Sequence, residues 1–354
     1  MLCNGCKAHK MTKKRIIFII NPISGTGGKE VVSSLIERHI DREKYDYELR
    51  YTEYAGHANE MARQFKNEGV DVVVAVGGDG TVNEVARGVI ESNTALGIVP
   101  CGSGNGLARH LMLPMNVKGA VEIINEGLVH KLDYGTIDEH PFFCTCGMGF
   151  DAFISKKFAD AGKRGMLTYL ENVLREGLSY EPETYELTLD GNETEPYKAF
   201  LLSVANASQY GNDAYIAPQA SMSDGFLDVV IMEPFDFFEA PQVGIELMNK
   251  TVDKNTKIKC FKARDIMIRR AHSGVIHYDG DPVEAGTELH VRLHHKGIRI
   301  IVNPMADKKR RRPNLVQTAF SDFFRDVNVV REEVVTNPVK KVMSINNYIQ
   351  SKLS

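Results

Sequence analysis

Tryptophan is absent from this 354-residue chain, cysteine occupies only six positions, and charge is nearly balanced, with 43 Lys and Arg against 46 Asp and Glu. No apolar run approaches the ~18 residues that a membrane-spanning helix requires. A net charge of −3 with a pI near 6.4 excludes a dedicated nucleic-acid binder, which carries a strongly basic face. Cysteines this sparse do not form a disulfide framework in a chain of such length. Cys3, Cys6 and His9 have the spacing of half a zinc site but lack a second Cys/His pair, and Cys144 and Cys146 alternate along an expected strand as small core residues. The apolar run Ile16 to Ile20 is too short for a signal peptide. The expectation is an intracellular, cytoplasmic protein long enough for two domains.

Three glycine-rich loops, each following a short apolar run, are the main positive signal. Val70 to Val76 is dense in β-branched residues and reads as a buried parallel strand. It runs into Gly77-Gly78-Asp79-Gly80-Thr81 and then into a helical pattern at Val82, Val85, Ala86, Val89 and Ile90. Strand, glycines and helix together form a phosphate cradle, because glycine lets the backbone approach an anion and a helix start offers free N–H groups. Thr81 and Glu84 have the spacing of a capping box, which predicts a helix starting at Thr81. Asp79 does not belong in a bare anion site: among phosphate-binding amides a carboxylate repels the ligand unless it binds Mg²⁺ or takes a proton.

The same grammar recurs at Arg15 to Ile20, followed by Asn21-Pro22-Ile23-Ser24-Gly25-Thr26-Gly27-Gly28-Lys29, and at Ala95 to Pro100, followed by Cys101-Gly102-Ser103-Gly104-Asn105-Gly106. A Walker P-loop ending at Gly28-Lys29 needs glycine at 23 and Ser or Thr at 30, where Ile23 and Glu30 stand. A dinucleotide fingerprint from Gly102 needs glycine or alanine at 107, where Leu107 stands. Residues 12–135 therefore read as an α/β nucleotide-binding domain with a parallel sheet. Residues 136–304 read as a mainly antiparallel β-sandwich, with runs at Tyr185–Leu189, Ala199–Val204, Phe226–Ile231, Asp265–Arg270, Glu288–Leu293 and Ile298–Val302. Asp190-Gly191 and Lys296-Gly297 are read as turns, and a helix is expected over Met166–Leu178. A nucleotide on the first domain should face a second substrate across the interdomain cleft.

Seven motifs in order now carry a resemblance. Asn21-Pro22-x-Ser24-Gly25, Gly77-Gly78-Asp79-Gly80-Thr81-x-Asn83-Glu84, Pro100-x-Gly102-Ser103-Gly104-Asn105, Leu132-Asp133-Tyr134-Gly135, Gly147-x-Gly149-Phe150-Asp151-Ala152, Ala217-Pro218 through Asp224-Gly225-x-Leu227-Asp228, and Asp279-Gly280-Asp281 resemble the lipid kinase family of soluble bacterial diacylglycerol kinases, sphingosine kinases and ceramide kinases. The likeness spans about residues 14–304. It implies a nucleotide-binding domain and a β-sandwich domain, with ATP and Mg²⁺ in the cleft and a membrane lipid hydroxyl as phosphoryl acceptor. Asn21, Ser24, Gly25, Gly78, Gly80, Thr81, Ser103 and Asn105 look like ATP-binding residues. Lys163 or Arg164 would neutralise charge on the transferred group. Asp79 or Asp281 would be the general base, and Asp133 resembles the carboxylate that joins the Mg²⁺ network through water. A second, structural Mg²⁺ would lie on Asp224 and the main-chain carbonyls of Ser221 and Phe226. The family usually reads Asp-Gly-Glu where this chain has Asp279-Gly280-Asp281, one methylene shorter, and Asp279-Gly280 also suits a plain hairpin turn.

The Gly-Gly-Asp-Gly core also occurs in NAD kinases, so a soluble substrate is a rival reading, and a non-catalytic ATP- or lipid-binding module is another. The motifs leave diacylglycerol and a sphingoid base both open. Residues 305–354 hold ten Lys or Arg and five Asp or Glu, including the run Lys308 to Arg312 before an amphipathic pattern from Leu315 to Val327. That tail is expected to contact a membrane surface peripherally or to pack on its own domain or a homodimer partner.

Overall fold

The structure is a computed structural model that describes residues 12–24, 29–153, 180–235 and 239–306. Four strands, β1 (Lys14–Ile20), β2 (Tyr45–Tyr51), β3 (Val72–Gly77) and β4 (Ala95–Pro100), lie parallel in the order β2-β1-β3-β4. Helices cover both faces, which is why β3 and β4 are buried at every position and read as near-continuous apolar runs. Successive side chains point to opposite faces. Ile17, Ile19, Val73, Ala75, Leu96 and Ile98 pack on α2 (His57–Asn67) and α3 (Asp79–Val89). Ile16, Phe18, Val72 and Val74 pack on α1 (Lys29–His39) and, beyond the short α4 (Gly106–His110), on α5 (Val117–Glu126).

After α5 the chain enters a sandwich. Strands β5 (Val129–Ile137), β6 (His140–Phe142), β7 (Thr145–Gly149), β8 (Glu183–Leu189), β9 (Glu195–Ala199), β10 (Leu201–Ala205) and β11 (Leu227–Met232) precede α6 (Ala240–Asn249). Strands β12 (Ile258–Ala263), β13 (Asp265–Arg270), β14 (Gly274–Tyr278), β15 (Asp281–Ala285) and β16 (Glu288–Ile301) follow it. One sheet is six-stranded and antiparallel in the order β12-β11-β10-β7-β14-β15. Its inward residues Cys146, Met148, Leu202, Val204, Val229 and Ile276 meet Ile137, Phe142, Tyr185, Leu187, Ile266, Ile268 and Val291 of the facing sheet. An α/β domain with a parallel sheet and an antiparallel sandwich domain, expected from the sequence, are thus both present.

Four local expectations need correction, and the expected border at residue 135 falls inside β5. The second sandwich sheet is also not separate: β16 joins the parallel sheet at Ile300↔Leu96, pairs with β5 on one side and with β13 on the other, and makes one ten-stranded sheet through both halves. Lys296-Gly297 does not turn a hairpin; Lys296 adopts φ 55° within a bulge of β16 between His294 and Ile298. The run Ala199–Val204 is two strands, β9 in one sheet and β10 in the other, with Phe200 between them. Finally, α3 starts at Asp79 with the extended Gly78 as N-cap and no side-chain cap. Glu84 instead accepts the N–H groups of Gly56 (2.9 Å) and Ala58 (3.1 Å), and so caps α2. The expected helix at Met166–Leu178 and the tail 305–354, apart from Met305 and Ala306, lie outside the described residues.

Candidate active site

All three glycine loops leave the C-terminal ends of neighbouring parallel strands β1, β3 and β4, the edge where open α/β sheets hold ligands. Asn21 ties the first loop to the second: its N–H donates to Val76 O (3.0 Å) and its side-chain amide to Thr81 Oγ1 (3.1 Å). Within the same loop, Ser24 N donates to Asn21 O at 3.2 Å. Thr52, just beyond β2, donates its N–H to Ile20 O and so sits alongside; sequence reading passed it over. Gly25 lies outside the described residues.

The second and third loops are packed backbone to backbone. A Cβ on Gly102 would fall 2.5 Å from Gly78 Cα, and one on Gly104 would fall 2.6 Å from Asp79 Oδ2. Asn105 holds the third loop in shape from the left-handed region (φ 52°), accepting Gly102 N and donating to Gly102 O. The carboxylate of Asp79 answers the objection raised by its position. It faces the third loop, accepting Asn105 N on Oδ2 (2.8 Å) and Gly106 N on Oδ1 (2.6 Å). Burial raises its pKa from the usual carboxylate value, against those two amides and the nearby Arg109. The first turn of α3 keeps N–H groups without intrahelical acceptors, and beside them Gly80 faces open space. Ser103 is exposed at the tip of the third loop. The loops thus leave open backbone at the start of α3, with the Asp79 carboxylate turned into the wall they form.

Asp79, Asn83 and Arg87 stand at i, i+4 and i+8, one face of α3, and that face meets the β14–β15 turn of the sandwich. Asn83 Nδ2 donates to Asp279 Oδ2 (2.6 Å), and the N–H groups of Phe143, Cys144 and Thr145 complete the carboxylate's partners at 2.6–3.0 Å. Burial pushes the Asp279 carboxyl up to about 6 against those three amides. Asp279 is at once a turn residue, at φ 50° before Gly280 at 89°, and a link between the two halves. Asp281 sits elsewhere. Its Oδ2 is 3.0 Å from Arg87, whose guanidinium also lies over the Tyr278 ring at 4.7 Å. Eight residues of helix separate Asp79 from Arg87, about 12 Å of rise, so the two expected bases occupy different ends of this face. Arg87 escaped sequence reading; the available signal was three polar residues at helical spacing opposite an apolar face.

Other motif carboxylates are occupied within the fold. Asp133 is fully buried and binds Gly225 N (2.9 Å), Lys296 N (2.7 Å) and His295 Nδ1 (2.9 Å), joining the turn before β11 to the bulge of β16. Asp151 accepts the Tyr210 hydroxyl and lies 2.9 Å from His277 Nε2. Asp224 accepts Phe226 N at 3.1 Å and contacts Lys262 Nζ at 2.9 Å, while Ser221 Oγ pairs with Ser223 Oγ. Among the described residues no three His, Cys, Asp or Glu side chains gather as a metal-holding group, and no helix is long and apolar enough to cross a membrane. Lys163 and Arg164 lie outside the described residues.

Comparison with known proteins agrees with this geometry. A model of the diacylglycerol kinase catalytic domain matches residues 15–137, and one of the YegS C-terminal, NAD kinase β-sandwich-like domain matches residues 144–302. A diacylglycerol kinase of Staphylococcus aureus is 26% identical over 277 residues, 76% of this chain and 86% of that one. A Streptococcus pneumoniae protein with a provisional lipid-kinase name is 28% identical over 300 residues, 83% of this chain and 100% of that one. An uncharacterized Synechocystis protein, 28% identical, is spanned over 58% of its length. The crystal structure of a Bacillus anthracis diacylglycerol kinase superposes with a TM-score of 0.67 at 23% identity, covering 83% of this chain and 98% of that one.

Proposed function

We propose that this chain, whose two halves match the models of a diacylglycerol kinase catalytic domain and a YegS-type sandwich domain, is a lipid kinase that phosphorylates a hydroxyl of a membrane lipid with ATP. The observation that carries the reading is the convergence of three glycine loops on the open first turn of α3, with a half-buried carboxylate at the same spot. Asn21, Ser24, Gly25, Gly78, Gly80, Thr81, Ser103 and Asn105 would hold the triphosphate through backbone amides and small polar groups. Bound ATP supplies the γ-phosphoryl group, and Mg²⁺ carried on its phosphates neutralises charge there. Few protein ligands are needed for that, because Mg²⁺ keeps its waters and takes one or two carboxylates besides the phosphates.

Asp79 is the base this reading favours over Asp281. It stands at the cradle, and burial raises its pKa toward the range in which a carboxylate accepts a proton efficiently. Asp281 is bound to Arg87 two turns away. The acceptor we favour is diacylglycerol, from the name of the S. aureus relative, with a sphingoid base as the alternative. The test is transfer of labelled γ-phosphate to diacylglycerol, sphinganine and ceramide in mixed micelles, with NAD as the soluble control. Label in a lipid that depends on Asp79 supports the reading, and label in NAD alone replaces it.

A further inference from the structure

Lys262 and Arg264, two residues apart at the end of β12, both reach the segment 221–227 that leads into β11. Lys262 Nζ lies 2.9 Å from Asp224 Oδ2 and 3.0 Å from Asp228 Oδ2. Arg264 Nε donates to Gly225 O at 2.9 Å, and its guanidinium covers the Phe226 ring at 4.4 Å. The family resemblance would put a divalent cation on Asp224 and the carbonyls of Ser221 and Phe226. The residues present do not fit that ion. Both carboxylates, Asp224 and Asp228, already share the Lys262 ammonium: one oxygen of Asp224 faces it, and the other accepts Phe226 N.

We infer that Lys262 is the built-in cation of this segment and takes the place of a structural metal ion in this chain. The consequence extends inward. Gly225, held between Asp224 and the Arg264 contact, donates its N–H to the buried Asp133, which also binds Lys296 N and His295 at the bulge of β16. Through this path an ammonium on the sandwich surface fixes the strand that joins the two halves. Charge-assisted hydrogen bonds to two carboxylates suit a compact ammonium, which is a point charge with three donors. The inference depends neither on which lipid is phosphorylated nor on whether the protein is a kinase.

The test uses the full chain without nucleotide. Mn²⁺ electron paramagnetic resonance on wild type and on Asp224→Asn should show no bound ion that depends on Asp224, and wild type should melt at the same midpoint in Mg²⁺ as in EDTA. Lys262→Met should melt lower by about 2–4 °C, the scale of a lost interaction of this kind in a large domain, and Lys262→Arg should recover part of that loss. Mn²⁺ bound by wild type and absent from Asp224→Asn overturns the inference, as does a Lys262→Met protein that melts with wild type. If Lys262→Met does not fold, the resonance comparison of wild type with Asp224→Asn decides alone.

Discussion

Replacing Asp79 with asparagine removes one charge and one acceptor while keeping the side chain's size. In the native site each carboxylate oxygen accepts a backbone amide, from Asn105 at 2.8 Å and Gly106 at 2.6 Å. Asparagine answers only one of them and turns its NH₂ toward the other. A hydrogen bond to a charged group contributes about 1.5–3 kcal/mol, and a buried donor left unmade costs about 1–3 kcal/mol. Against this, the variant no longer keeps a charge out of water, so the net loss should be of the order of 1–3 kcal/mol. The protein should therefore stay folded with a midpoint lower by several degrees. If Asp79 also takes the acceptor's proton, turnover should fall about 10²–10⁴-fold, far more than the altered loop explains. The assay is kcat and KM for ATP and lipid beside a melting curve and nucleotide binding by the same preparation. Its internal control is Gly104→Ala, whose new Cβ pushes the third loop off Asp79 without removing the carboxylate; it should raise KM for ATP more than it lowers kcat. A folded Asp79→Asn protein with turnover within about tenfold of wild type refutes the base assignment and leaves Asp79 as a tether of the loop.

Because the pKa of Asp79 is raised in the folded protein, the acid limb of kcat/KM should lie above that of a free aspartate; a limb at or below the free value argues for a different base. Arg87→Met should free Asp281 and loosen the β14–β15 turn, lowering lipid turnover modestly with little change in ATP binding, and a loss as deep as that of Asp79→Asn would move the base to Asp281. The raised pKa of Asp279, about 6 in the folded state against 3.8 as the ordinary value, means the native state takes up a proton before the unfolded chain does. Relative to Asp279→Asn, wild type should lose stability as pH rises from about 4 to about 6, and denaturant titrations showing the opposite slope would indicate that the three amides outweigh burial. Truncation after Pro304 should reduce sedimentation with anionic vesicles at low salt if the basic run Lys308 to Arg312 contacts a membrane surface; equal sedimentation removes the tail from the lipid-access account.

What could be read from the sequence was local. Each glycine loop announces itself because the strand before it and the helix after it are contiguous in the chain, so the nucleotide edge of the sheet was visible before any packing was known. The misreadings share one cause, a partner distant in sequence. Glu84 has capping-box spacing to Thr81, yet its acceptors serve amides 26 and 28 residues away on α2. Lys296-Gly297 looks like a hairpin turn because a left-handed residue before glycine suits either, and only the pairing of β16 with β5 on both sides of it reveals a bulge. Asp133, expected to join a Mg²⁺ network through water, also holds two amides far away in the chain, Gly225 N and Lys296 N, which no local pattern announces. Arg87 and Asp281 are 194 residues apart, and nothing in either neighbourhood names the other.

The most direct test of the central claim is whether purified full-length protein moves the terminal phosphate of ATP onto a lipid hydroxyl. With labelled ATP, Mg²⁺ and diacylglycerol micelles, the account predicts a labelled phosphatidic acid product that disappears with Asp79→Asn while the variant still binds nucleotide. No labelled lipid with diacylglycerol, sphinganine or ceramide from a folded, ATP-binding protein, or label appearing only in NAD, would contradict it.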